Sequence, residues 1–335
     1  MHYPAVYPSS ADARDRFVLE LRGARPAHDP WRYQHLIVED ERTEADPPRP
    51  ARVGTIILTG RECPWRCVMC DLWRGTTADD TPRGAIPAQI AAAWRELDRR
   101  GERVSRVKLY NAGSFFDPRA VPESDYDAIA VQLAAVDRVI VESHPSLVGQ
   151  RVDRFLAALA GPGDCGLEVA MGLETANHEA LAALNKDMDV EDFAAAADYL
   201  RRRDVALRAF LLVSPPGVPD DEQDGWLLQS IDVAYRSGAR VVSLVPTRSG
   251  NGALDALAAA GAFRQPRLDD IERSFDQALR QRRLDLRLFV DVWDLARFST
   301  CARCLRARHD RLHLMNLEQR VLPRVECRNC DGQAG

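Results

Sequence analysis

From Val53 onward the chain alternates two kinds of hydrophobic pattern. Short runs of β-branched and aliphatic residues read as buried strands over Val53–Thr59, Val104–Tyr110, Arg138–Ser143, Leu167–Leu173, Ala206–Val213 and Ala239–Val245. Between these runs apolar residues recur every three or four positions. That period predicts helices at about Pro87–Arg100, Glu123–Ala135, Gly149–Leu159, Val190–Arg203 and Asp221–Ser237. Six strand–helix alternations predict an α/β fold with a parallel sheet. An ordinary closed eight-stranded barrel would need more repeats than these six, which fit at most a partial barrel. A helix pattern at Leu268–Arg283 and a strand-like run at Leu284–Val292 extend it.

Three regions follow. Residues 1–50 read as an N-terminal extension, with a helix-like stretch near Ala11–Arg22 and then the charged, proline-rich linker Glu41–Pro50. The barrel and its elaboration occupy residues 51–295, and a cysteine-bearing tail occupies 296–335. No apolar run is long enough to span a bilayer, and the first residues lack a basic segment leading into an apolar core. The expectation is a cytoplasmic protein with no membrane association.

The loop after the first predicted strand carries Cys63, Cys67 and Cys70, spaced C-x3-C-x2-C. Three thiolates at this spacing can hold three irons of a 4Fe-4S cluster and leave the fourth iron without a protein ligand. Zinc or a disulfide is the alternative. Zinc would need a fourth ligand, yet no histidine or further cysteine lies in the loop. The next cysteine, Cys165, opens the fourth predicted strand and so belongs at the opposite end of a barrel.

A three-cysteine loop leaving the carboxyl end of a strand resembles the radical S-adenosylmethionine (SAM) superfamily, and the resemblance implies a partial (βα)6 TIM-type barrel, which the six repeats fit. The resemblance implies that SAM chelates the open iron through its amino and carboxylate groups. It also implies that an electron from the reduced cluster, delivered by a flavodoxin or ferredoxin type donor, cleaves SAM to methionine and a 5′-deoxyadenosyl radical that abstracts hydrogen from a substrate. Met69 departs from the pattern, since the family usually has an aromatic before the third cysteine.

Candidate SAM contacts follow from the other strand ends. Asn111, Gly113 and Ser114 occupy the position of the family's Gly-Gly-Glu-like motif, where a backbone carbonyl accepts the SAM amino group and glycine permits close approach. Glu142 and Ser143 can bond ribose hydroxyls, whereas His144, beside Pro145, reads as either structural or functional. Glu174 emerges from an apolar strand and needs a partner, either a ligand or Arg208. Arg208 suits either that salt bridge or the SAM carboxylate, which its guanidinium matches as a fork. Val213 and the following Ser214–Gly217 segment can line the adenine, and Thr247, Arg248 and Asn251 face the substrate. Taken together, Lys108–Pro118, Val141–His144 and Leu167–Asn177 look like the radical SAM subunit of archaeosine synthase, related to the elongator catalytic-subunit branch. In that family the radical acts on a lysine adduct of a 7-deazaguanine base in tRNA and breaks a carbon–nitrogen bond. This chain has no recognisable RNA-guanine exchange domain, so such an activity implies a partner protein.

Cys301, Cys304, Cys327 and Cys330 form two C-x2-C pairs separated by twenty-two residues. Four thiolates at this spacing suit a zinc-ribbon-like site, with an auxiliary iron–sulfur cluster as the rival. Hydrophobic residues at 46% and charged residues at 28% are ordinary for a globular chain. The net charge of -5 excludes a basic surface over the whole molecule. Residues 301–335 alone carry seven Arg against four acidic residues, enough for RNA phosphates or for a merely solvated surface. A non-catalytic iron–sulfur or zinc protein that binds RNA is therefore the second reading.

Overall fold

The computed structural model describes residues 7–45, 49–111 and 113–331. Part of the expected linker, Asp46–Pro48, and Ala112 within the Asn111–Ser114 turn lie outside the described residues. One eight-stranded sheet runs in sequence order through β1 (His35–Arg42), β2 (Pro50–Leu58), β3 (Arg106–Asn111), β4 (Arg138–Ser143), β5 (Gly166–Glu174), β6 (Ala206–Val213), β7 (Val241–Pro246) and β8 (Arg287–Val290). β1 is antiparallel to β2, and every later pair is parallel. Helices connect the parallel strands, because a parallel neighbour can be reached only by a crossover. Their apolar faces, such as Ile86, Ile90 and Leu97 of Ala85–Arg100 and Val152 and Phe155 of Gln150–Leu159, pack on Ile56, Leu58, Val107, Leu109 and Val139.

All six strands expected from the sequence are present, and two more flank them. β8 falls inside the Leu284–Val292 run. β1 corrects the reading of residues 1–50 as extension and linker, since its last two residues are the first two of the proposed linker. It escapes a hydrophobicity reading because its inward side carries Glu39 and Glu41, which face basic partners inside the barrel. Lys108 bonds Glu39 at 3.2 Å and Glu41 at 2.5 Å, and Arg208 bonds Glu41 at 2.5 Å and Glu168 at 2.7 Å. These ion pairs tie β1 to β3 and β6 across the interior.

β1 and β8 are not hydrogen-bonded to one another; the helix Ala302–Glu318 packs against both and fills the seam. An edge strand exposes unpaired backbone groups, and here two side-chain amides satisfy them. Asn316 Oδ1 accepts from Val290 N at 2.8 Å and its Nδ2 donates to Val290 O at 2.9 Å, while Gln319 does the same for Leu288 at 2.8 and 2.7 Å. Arg308 and Arg311 anchor this helix to Glu272 at 2.6 Å and Asp276 at 2.7 Å. The segment between the tail's cysteine pairs is thus a docked helix rather than a ribbon. No helix among the described residues is long and apolar enough to cross a membrane.

Candidate active site

The cysteine loop leaves the carboxyl end of β2 and is fixed from several sides. Gln89 brackets its start, accepting from Thr59 N and donating to Thr59 O, both at 2.8 Å. Val68 N donates to Leu184 O at 2.9 Å, and Asn251 Nδ2 donates to Val68 O at 2.7 Å. Asn185 Nδ2 holds Arg66 O at 3.1 Å. Glu62, next to Cys63, receives Arg22, Arg25 and Arg66, which pins the N-terminal helix Ala11–Leu21 to the loop through the residue that follows it. Cys63, Cys67 and Cys70 open on one cavity of about 740 Å³. Burial pushes the Cys67 thiol well up, and the neighbouring Cys63 and Cys70 push it further; burial moves Cys70 to about 12. Such thiols give up their protons to a metal rather than to water.

Gly113 passes close beside this loop. A Cβ there would sit 3.1 Å from Arg61 O and 3.4 Å from Cys63 N, so only glycine fits without displacing backbone. Ser114 Oγ donates to Ser143 Oγ at 3.0 Å and accepts from His144 N at 3.2 Å, joining the ends of β3 and β4. The His144 ring stacks on Trp65 with centroids 3.6 Å apart and planes within 12°. Its Nδ1 accepts from Ser146 N at 3.2 Å, so Nε2 carries the proton and donates to Lys186 O at 2.9 Å. Burial moves its pKa down to about 3, and the ring is neutral. Both ring nitrogens are engaged, so His144 offers no ligand atom to an iron.

Lys186 Nζ donates to Gly172 O at 2.6 Å and pairs with Glu174. Gly172 makes room for this pair, since a Cβ would meet both Glu174 Oε1 and Lys186 Nζ. Glu142 faces the same cavity without a hydrogen bond to its carboxyl among the described residues. Burial pushes its pKa up to about 8 with help from Glu174, and Lys186 restrains the rise. The site therefore holds one compensated carboxylate and one that lacks a partner.

Residues 57–225, just over half of the chain, match the radical SAM superfamily. The chain belongs to that superfamily. Over 233 residues it is 26% identical to the archaeosine synthase subunit beta of Methanosarcina acetivorans, covering 67% of this chain and 66% of that one. Over 214 residues it is 23% identical to an uncharacterized protein of Methanocaldococcus jannaschii, covering 60% and 57%. It thus spans just under two thirds of the first relative and less of the second. An N-terminally truncated Elp3 of Methanocaldococcus infernus shares the fold, with a TM-score of 0.52 at 13% identity over 69% of this chain and 59% of that one.

As a radical SAM enzyme the protein uses a 4Fe-4S cluster and SAM, and its residues fit both. Three cysteines line the one cavity, the nearby imidazole is committed elsewhere, and a glycine leaves space beside the loop. Of the other sequence candidates, Gly113, Ser114, Glu142, Ser143, Glu174 and Arg208 line the cavity. Asn111 is buried beside Gly113, its side-chain amide without a hydrogen-bond partner among the described residues. Val213 turns into the core, and strand alternation points Leu212 at the cavity instead. Arg208 does not pair with Glu174. Register sets it opposite Ala170, below the level where Glu174 meets Leu211, and its guanidinium is filled by Glu41, Glu168 and Ser243. Thr247 and Arg248 reach the cavity, but Asn251 supports the cysteine loop. Met69 lines the cavity and packs on the apolar group around Leu184 and Leu212.

Sequence reading missed Trp65 and Lys186. A usable signal existed, because Lys108 and Lys186 are the chain's two lysines among 45 basic residues and both line this cavity. His144→Phe keeps a ring over Trp65 but loses the bond to Lys186 O, worth about 1 kcal/mol. Equilibrium dialysis should show SAM binding weakened roughly five-fold, with iron content unchanged.

In the tail, Cys301, Cys304, Cys327 and Cys330 bring all four sulfurs within 4.8 Å of one another. Cys301 Sγ lies 3.9 Å from Cys327 Sγ, and Cys304 Sγ lies 3.6 Å from Cys330 Sγ.

Proposed function

We infer that this radical SAM enzyme acts on a modified tRNA nucleoside, abstracting hydrogen from a lysine adduct of a 7-deazaguanine base and breaking a carbon–nitrogen bond. The observation that carries this reading is the 26% identity to an archaeosine synthase subunit. When bound, the reduced cluster supplies the electron that splits SAM into methionine and a 5′-deoxyadenosyl radical. The chain's own residues position and enclose. Gly113 admits SAM close to the cysteine loop, and Glu142 takes ribose hydroxyl bonds that satisfy its lone carboxyl. Glu174, neutralised by Lys186, presents a polar edge. A flavodoxin or ferredoxin type protein delivers the electron, and a partner enzyme prepares the tRNA.

The four tail cysteines hold zinc. Four thiolates about 2.3 Å from one ion stand about 3.8 Å apart, and the 3.6 and 3.9 Å spacings match this. A cubane, with a separate iron under each thiolate, would hold the sulfurs farther apart. The non-catalytic RNA-binding reading leaves the superfamily match and the partnerless Glu142 without a purpose.

The test is anaerobic reconstitution with dithionite and tRNA carrying the lysine adduct. Expected are about four irons and one zinc per chain, 5′-deoxyadenosine, and a formamidine nucleoside by mass spectrometry. SAM cleavage that leaves the tRNA unchanged would overturn the substrate assignment.

A further inference from the structure

The cavity has a second wall that SAM chemistry does not require. It is built where β8 ends, at Asp291 and Trp293, and by His309 and His313 of the seam helix. Two large apolar side chains stay half-exposed at this cavity, Trp293 at 46% and Leu72, from the segment after the cysteine loop, at 47%. His35 meets the Trp293 ring edge-on at 5.8 Å and steadies it. His309 and His313 lie one turn apart with ring planes within 11°. Asp291 accepts the Trp293 backbone N–H at 2.8 Å, and among the described residues its carboxylate receives no other hydrogen bond. Burial pushes its pKa upward, so it gains from a donor that enters the cavity.

An indole left half in water beside a carboxylate short of donors suits a flat ring with N–H groups on its edge. A nucleobase has both, an aromatic face that stacks on Trp or His and an edge that donates. We propose that Trp293, with His309 and His313, forms the stacking platform for the substrate's base, and that Asp291 accepts a hydrogen bond from the base edge. This rests on the nucleoside reading given above and adds to it the residues that recognise the ring. It also gives the seam helix a role in specificity, since that helix carries the two histidines into the cavity.

The test is equilibrium dialysis of 7-deazaguanosine, guanosine, adenosine and uridine against the full, anaerobically reconstituted chain with saturating SAM and no reductant. Trp293→Leu should weaken 7-deazaguanosine binding at least roughly ten-fold, as lost base stacking does. Trp293→Phe should restore it to within about three-fold of the native protein, and Asp291→Asn should weaken guanosine-type bases more than uridine. Iron content and melting temperature report on folding. Equal binding of 7-deazaguanosine to native and Trp293→Leu protein overturns the platform and leaves the tRNA reading intact. If only another nucleoside binds, and does so through Trp293, the platform stands and the 7-deazaguanine assignment falls. Binding of none of the four overturns the platform.

Discussion

Cys67→Ala should reduce SAM cleavage to background, the largest effect expected of any single substitution in this chain. Cys67 is the middle cysteine of the loop in sequence, and it lines the same cavity as Cys63 and Cys70. Two remaining thiolates leave two irons of a cubane without protein ligands. The substitution leaves the loop's scaffold in place, because Val68 N still reaches Leu184 O and Asn251 still holds the Val68 carbonyl. Iron per chain should therefore collapse while the melting temperature of metal-free protein changes little. The control is Cys165→Ala. Cys165 precedes β5 at the amino end of the barrel, bonded through its thiol to Gly166 O, and its loss should leave 5′-deoxyadenosine formation at native levels. Iron retained in the Cys67→Ala protein, with cleavage intact, would refute the assignment of the loop.

Glu41→Ala should be the most destabilising change away from the cofactor. Glu41 compensates two buried cations, Lys108 and Arg208, so its removal strands both. Breaking a buried pair from one side costs about 3–5 kcal/mol, which in a chain this long lowers the melting temperature by roughly 5–10 °C. The pH dependence has a definite sign. Burial alone would raise the Glu41 pKa, but Arg208 and Lys108 outweigh it and hold the carboxyl well below the usual carboxylate range. A depressed folded pKa contributes stability that is complete above the unfolded value, near about 4.3, and is lost as pH falls toward the folded one. Melts of native and variant protein should thus differ fully at neutral pH and converge on acidification below about pH 4.

Those same ion pairs explain what was legible in the sequence and what was not. Strands buried on both faces read as largely apolar runs, and Ala206–Val213, with Arg208 its one polar residue, was located to the residue. β1 did not, because Glu39, Glu41 and Arg42 look like a solvated linker until Arg208 and Lys108 are known to wait across the barrel. The pairing of Glu174 failed for a related reason. A strand position names the face a side chain takes, but the height of Arg208 relative to Glu174 depends on the register between β5 and β6. Local spacing announced the four tail cysteines, whose sulfurs the fold brings within 4.8 Å of one another. The helix between the tail pairs was missed, since Arg308 and Arg311 read as surface charge while in the fold they meet Glu272 and Asp276. Nothing in its local sequence marks Lys186, although a lysine in so arginine-rich a chain is itself a sign.

The seam has a consequence for biogenesis. All eight strands are complete at Val290, but the amides that cover the bare edge of β8 belong to Asn316 and Gln319. Until the seam helix has docked, a newly folded barrel bares the unpaired edge of β8, a template on which another chain can pair.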